Sequence, residues 1–123
     1  MSMGGAEQSC GRSWIGVGLD GTLAVYDRSK GATHIGDPVP EMVARVKRWI
    51  SEGLDVRIFT ARVAPAGTPC VAMCSAINTW LLQHLGRALP ITCVRDDGMV
   101  ELWDHRAVQV VTNTGQRIDG CSG

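Results

Sequence analysis

The sequence predicts an α/β domain built around a mainly parallel central sheet. Short apolar runs that end in turn residues alternate with longer segments in which apolar residues recur every three or four positions. The first pattern is typical of buried strands, and the second is typical of helices that cover a sheet. A strand–helix–strand–helix–strand order favours parallel strands joined by right-handed crossovers. Ligands of such folds bind at the carboxyl ends of the strands.

The individual elements follow in order from these local patterns. Residues 14–19 predict a first buried strand that ends in the turn Asp20-Gly21. Residues 22–37 show no sustained period and predict an excursion or hairpin. Asp37-Pro38 predicts the start of a helix, because aspartate can cap free N–H groups and proline is tolerated in the first turn. The other predicted elements are a helix over 70–85 and strands over 54–60, 90–94, 100–103 and 107–112.

Length and composition indicate one domain with flexible terminal segments. The chain has 123 residues, which is within the usual size of a single domain. Residues 1–12 and 115–123 have little to bury and are expected to be flexible, which leaves residues 13–114 as the folded domain. Twelve basic and twelve acidic residues cancel, so neither a nucleic-acid footprint nor a basic membrane patch is indicated.

Cysteine use and the N-terminal sequence favour a cytoplasmic protein. Five cysteines without a CxxC pair are typical of reduced thiols. Cys70 and Cys74 are four residues apart, on one face of the predicted helix, and we expect them to pack as small apolar side chains. No apolar stretch resembles a signal peptide or a membrane span.

Polar side chains gather at the predicted strand ends. Asp20 follows the first strand, Thr60 and Arg62 follow the second, and Arg95 and Asp104 follow later strands. Because the carboxyl ends of parallel strands meet at one edge of a sheet, we expect these groups to lie close together. Carboxylates, a hydroxyl and cations at one site suit a phosphate group and a hard metal ion.

These strand ends resemble the motifs of the haloacid dehalogenase-like phosphohydrolases. Residues 15–23 are similar to the first motif of that family, an apolar strand followed by Asp-x-Asp-Gly-Thr. Thr60 matches the second motif, Arg95 falls where the third motif has lysine, and Asp104-His105 falls where the fourth motif has two acids. The resemblance covers residues 15–111 and implies a Rossmann-like three-layer sandwich without a cap domain.

The resemblance also implies roles for individual residues. Asp20 would protonate the leaving group and then activate water, Thr60 would bind the transferring phosphoryl oxygens, and Arg95 would hold the phosphate. Mg²⁺ would bind the backbone carbonyl of Asp20 and the carboxylate of Asp104. The phosphate and substrate pocket would be formed by Gly21, Thr22, Thr60, Ala61 and Arg62. Secondary candidates for substrate contact are Tyr26, Asp27 and His34.

The sequence departs from the motif pattern at three of these places. Gly18 stands where the family has its nucleophilic aspartate, Arg95 replaces lysine, and His105 replaces an acid. A glycine can neither attack phosphorus nor bind a metal, and loss of a nucleophile costs roughly a millionfold in turnover. We therefore expect a catalytically impaired, phosphatase-like module that binds a small phosphorylated molecule, with weakened affinity for Mg²⁺.

Other functions remain open at the level of sequence. The chain could be an active Mg²⁺-dependent phosphatase of a small metabolite or nucleotide if Asp20 activates water directly, or if Asp96 or Asp97 enters the site. Gly18 could be an isolated substitution in an active lineage. A flavodoxin-like or nucleotide-binding domain fits the alternation of elements, but no glycine-rich phosphate loop follows the first strand. A homo-oligomer is compatible with the capless form.

Overall fold

The computed structural model describes residues 13–63 and 71–118, and these form an α/β fold around a parallel sheet. Within these residues the sheet has four strands in the order β3-β2-β1-β4, and every neighbouring pair is parallel. This confirms the predicted α/β class and the parallel sheet. The elements in chain order are β1 (Trp14–Gly18), α1 (Pro40–Ser51), β2 (Val56–Phe59), α2 (Val71–Leu85), β3 (Ile91–Thr92) and β4 (Met99–Trp103).

The two α-helices pack on the same face of the sheet. Alternate residues of β1 and β2 point to this face and form one hydrophobic core with both helices. The core residues of these four elements include Ile15, Val17, Val56, Ile58, Met42, Val46, Ile77 and Leu81. The described residues therefore form two layers of regular structure, and the expected third layer is not among them. The reason is that β3 and β4 are joined by residues 93–98, which contain no helix.

The first helix begins later than the sequence predicts. Its first residue is Pro40, and Val39 occupies the cap position without a side-chain hydrogen bond. Asp37, the predicted cap, instead accepts a hydrogen bond from the backbone N–H of Val25 through its carbonyl oxygen, at 2.8 Å. Pro38 also forms a bridge with Ala24, so this part of the chain is extended. The cap prediction was wrong because these backbone contacts close the excursion that follows β1.

Two predicted strands differ from the structure. The strand expected over 90–94 is limited to Ile91–Thr92, because the Thr92 hydroxyl accepts the N–H of Val94 and turns the chain. The strand expected over 107–112 is absent among the described residues, and Val110 forms only an isolated antiparallel bridge with Arg117.

Backbone hydrogen bonds cross the predicted domain boundary after residue 114. The N–H of Val111 donates to the carbonyl of Gln116, and the N–H of Ile118 donates to that of Gln109. The predicted flexible segment over 1–12, residues 119–123 of the predicted flexible segment over 115–123, and Cys70 lie outside the described residues. No helix in the described parts of the chain combines the length and apolarity needed to cross a membrane.

Trp14 and Asp96 anchor the sheet at the edge opposite the strand ends. The indole N–H of Trp14 donates to Oδ1 of Asp96 at 2.8 Å, and the backbone N–H of Gly98 donates to the same oxygen at 2.8 Å. The guanidinium of Arg57 covers the Trp14 ring at 4.6 Å from its centroid. The indole hydrogen bond, followed by the Gly98 bond, lowers the pKa of Asp96 below its ordinary value.

This lowered pKa predicts a pH-dependent contribution to stability. Asp96 contributes fully above its unfolded pKa of 3.8, and the contribution is lost as the pH falls through the lower folded-state pKa. Asp96→Asn keeps both acceptor bonds through its amide oxygen but removes the charge. We expect the melting temperature of wild type to exceed that of Asp96→Asn near neutral pH, and the difference to vanish in acid. Thermal melts across that range check this, and a difference that is independent of pH would contradict it.

Candidate functional site

A cleft of about 570 Å³, lined by both charged and apolar residues, opens at the carboxyl edge of the sheet. The strand register creates it, because Gly18 at the end of β1 pairs with Phe59, and Val17 pairs with Trp103 near the end of β4. The loops that follow these three strands therefore meet at one place. The sequence-predicted residues that line the cleft are Gly18, Asp20, Tyr26, Thr60, Ala61, Arg62, Asp104 and His105.

Five lining residues are not among the predicted site residues: Leu19, Gly31, Ala32, Phe59 and Arg106. Gly31 and Ala32 belong to the excursion after β1, which the local pattern could not position. Arg106 also lines the cleft. It directly follows Asp104 and His105, so a basic residue next to a predicted motif was the sequence feature that could have identified it. Asp27, a secondary candidate, instead caps the short 3₁₀ turn Arg28–Lys30 by accepting the N–H and hydroxyl of Ser29.

Asp20 and Arg62 form a bidentate ion pair in the cleft. Nε of Arg62 donates to Oδ2 of Asp20 at 2.7 Å, and Nη2 donates to Oδ1 at 2.7 Å. The two side chains are only 19% and 17% exposed, respectively. Parallel charge-assisted bonds of this type are among the strongest in proteins. The hydrogen bond to Asp20 raises the pKa of Arg62 above its ordinary value, so this guanidinium is always charged.

Gly18 lies beside the carboxylate of Asp104. Its backbone is outside the left-handed region, so the conformation does not require glycine. A Cβ placed on Gly18 would be 3.2 Å from Oδ2 of Asp104 and 3.3 Å from the carbonyl oxygen of Trp103. A nucleophilic side chain at position 18 would therefore lie next to the negatively charged carboxylate of Asp104.

Thr60 presents an oriented hydroxyl to the cleft. The residue is 5% exposed, and its Oγ1 accepts the backbone N–H of Arg62 at 3.1 Å. Its own backbone N–H donates to the carbonyl of Thr92 at 2.9 Å, which fixes the end of β2 against β3. Because Oγ1 is an acceptor in this bond, its hydroxyl hydrogen can be donated to an oxygen of a ligand.

Gly21 and Thr22 join the turn after β1 to the loop after β4. Gly21 has a φ of 84°, and its Cβ position is within 2.6 Å of the His105 ring. Oγ1 of Thr22 accepts the backbone N–H of His105 at 3.1 Å. Neither residue is among those that line the cleft. In this structure they hold the two loops together, although the sequence predicts them as phosphate contacts.

Arg95 does not reach the cleft, contrary to its predicted role as the third-motif cation. Its side chain is exposed, and it is not among the lining residues. The physical reason is the anchored position of Asp96, the next residue, which the indole of Trp14 holds at the opposite edge of the sheet. The same anchor keeps Asp96 from replacing the missing carboxylate at Gly18.

The described residues do not fit the magnesium site that the family resemblance implies. They contain no group of three or more His, Cys, Asp or Glu side chains placed to hold a metal ion. Both carboxylate oxygens of Asp20 already accept bonds from Arg62, and Oδ1 of Asp104 accepts the N–H of Arg106 at 2.7 Å. Gly18 supplies no oxygen from a side chain. Mg²⁺ is commonly held by one or two carboxylates together with water and phosphate oxygens, and here Asp104 is the one carboxylate among the described cleft residues whose side chain is not already paired with an arginine, so the anionic ligand set that the resemblance implies is reduced to one.

The charged groups of the cleft balance without a metal. Asp20 and Asp104 contribute two negative charges, and Arg62 and Arg106 contribute two positive charges. His105 lies 3.8 Å from Asp104 through Nδ1 and is 43% exposed.

Comparison of the chain with protein-family models, with curated proteins and with solved structures found no match.

Proposed function

We propose that this chain is a catalytically impaired, Rossmann-like, capless member of the haloacid dehalogenase-like phosphohydrolases that binds a small phosphorylated molecule. The observation that carries the proposal is Gly18, which lies at the end of β1 in the cleft, where the motif pattern places a nucleophilic aspartate. Nucleophilic catalysis by a carboxylate needs a carboxylate. Around the glycine, the cleft keeps Asp20, Thr60 and Asp104 from the predicted constellation.

The charge balance of the cleft supports anion binding without a metal. Gly18 and His105 stand where the motif pattern has acids, so the cleft carries two fewer negative charges than that pattern implies. In a site crowded with carboxylates, a cation must offset the repulsion between them and a phosphate. Here Arg62 and Arg106 already balance the two remaining carboxylates.

The remaining side chains suit binding better than turnover. The hydroxyl of Thr60 can donate to a phosphate oxygen, and the two arginines supply positive charge. Asp20 would be the proton donor and base in the family mechanism, but both of its oxygens are held by Arg62. Attack on phosphorus therefore lacks its nucleophile, and proton transfer by Asp20 requires that this carboxylate first separate from Arg62.

Phosphate release from a panel of phosphate monoesters, with Mg²⁺ present, tests this proposal. We expect no release above background from the wild-type protein and clear release from Gly18→Asp, which restores the nucleophile. Gly18→Asn is the matched control, because it has nearly the same size as aspartate but no negative charge. It should remain inactive.

Two outcomes would contradict the proposal. If the wild-type protein releases phosphate and Asp20→Asn does not, the chemistry proceeds by another route through Asp20. If Gly18→Asp folds, gains thermal stability from Mg²⁺ and still releases no phosphate, the arrangement of residues in the cleft is not that of a phosphohydrolase.

A further inference from the structure

Every nitrogen of the Arg62 guanidinium has a protein partner. Nε and Nη2 donate to the two carboxylate oxygens of Asp20, both at 2.7 Å. Nη1 donates to the carbonyl oxygen of Ala32 at 3.0 Å and contacts Sδ of Met73 at 3.8 Å. The side chain thus connects the turn after β1, the excursion and α2. These contacts hold the guanidinium in one place at the wall of the cleft.

The Asp20–Arg62 pair is accessible to a ligand in the cleft. Both residues line the cavity, and each side chain keeps about a fifth of its surface exposed. The fork that Arg62 directs at the carboxylate has the geometry with which arginine also binds phosphate oxygens. When a phosphate enters the cleft, the guanidinium of Arg62 is therefore already bound to the carboxylate of Asp20.

We propose that a phosphate dianion displaces the carboxylate of Asp20 from Arg62, so that Asp20 is an internal competitor that sets the affinity of the cleft for phosphorylated ligands. This inference rests on the proposed function and adds how that site selects its ligand. A dianion with three oxygens gains more from the guanidinium than a carboxylate monoanion does, so it can replace the internal partner. A small monoanion offers no such gain, and the pair excludes it.

Calorimetric titration with inorganic phosphate, at one fixed pH and ionic strength, tests the displacement. Asp20→Asn keeps the shape of the side chain and removes its charge, so Arg62 loses its competing partner. We expect this variant to bind phosphate about tenfold more tightly than wild type. The affinity for acetate should stay low in the wild-type protein and rise in Asp20→Asn.

Two further variants separate partner exchange from a general charge effect. Asp104→Asn removes one negative charge from the same cleft but leaves the Arg62 pair intact, so its gain should be clearly smaller than that of Asp20→Asn. Arg62→Met keeps the length of the side chain without the guanidinium. In that background, Asp20→Asn should no longer increase the affinity for phosphate.

The outcomes distinguish this inference from the proposed function. If wild type binds phosphate but Asp20→Asn binds it no more tightly, the displacement is wrong and the phosphate-binding function stands. The displacement is also wrong if Asp20→Asn still increases the affinity for phosphate in the Arg62→Met background. The same holds if Asp104→Asn gains as much as Asp20→Asn. If none of the variants binds phosphate, both the displacement and the proposed binding function are overturned. Thermal melts of each variant establish that it is folded.

Discussion

Replacing Gly18 with aspartate is expected to destabilise the metal-free protein by about 2 kcal/mol and to make its melting temperature depend on Mg²⁺. The new carboxylate would lie beside Asp104, since even the Cβ of residue 18 is 3.2 Å from Oδ2 of that residue. Two unit charges ~4 Å apart repel by ~4 kcal/mol at an effective dielectric constant of ~20. Asp104 is 25% exposed, so solvent screens part of this repulsion.

Gly18→Asn provides the control for the Gly18→Asp stability prediction. It introduces nearly the same volume without the charge, so the difference between the two variants isolates the repulsion. Mg²⁺ should raise the melting temperature of Gly18→Asp, because binding to the native state alone shifts the unfolding equilibrium. It should leave wild type and Gly18→Asn unchanged. Equal melting temperatures and equal Mg²⁺ responses of the two variants would refute the predicted repulsion.

Gly36→Ala is expected to cost about 3 kcal/mol, or roughly 10 °C in melting temperature. A Cβ on Gly36 would overlap the carbonyl oxygen of Val25 and lie 3.0 Å from its carbonyl carbon. These are backbone atoms, so no rotation of a side chain relieves the contact. The backbone is also tied on both sides, because Val25 donates to Asp37 and the indole of Trp80 donates to the carbonyl of Gly36.

Gly53→Ala is the matched control for the Gly36 prediction. Gly53 has a φ of +82°, but a Cβ there would meet no atom within 4 Å. Its replacement should cost only the strain of the left-handed backbone, about 1 kcal/mol. Because Ala32 lies in the excursion closed by Gly36, the Gly36 variant should also weaken phosphate binding. A Gly36→Ala protein as stable as Gly53→Ala would show that the backbone at Val25 moves freely.

The sequence alone predicts the parts of the fold that depend on local pattern. The apolar run over residues 14–19, the helical stripe that ends at Leu85 and the strand before Thr60 are all present. The positions of Asp20, Thr60, Arg62 and Asp104 in one cleft also follow from the sequence, because parallel strands bring their carboxyl ends to one edge. A run of apolar residues that ends in turn residues can be identified as a strand from local sequence, before its neighbour in the sheet is known.

Local pattern failed where distant contacts determine the structure. The helix begins at Pro40 rather than near Asp37, because Val25 donates to the carbonyl of Asp37 and Val39 donates to the carbonyl of Leu23, which holds the preceding residues extended. The apolar residues around Val110 have the composition of a strand, but within the described parts of the chain they pair only with the residues that follow Asn113. A strand needs a neighbouring strand for its backbone hydrogen bonds, and one segment of sequence does not specify that neighbour.

The chemistry of the cleft divides in the same way. The sequence by itself determined that residue 18 has no side chain and that carboxylates, a hydroxyl and arginines follow the strands. Only the tertiary structure assigned their partners: Arg62 binds Asp20 across 42 positions of the chain, and Trp14 holds Asp96, and so Arg95, away from the cleft. The physical reason is that charge and hydrogen-bond pairing depend on distances of a few ångströms between segments far apart in the chain, and such distances exist only after the sheet has formed.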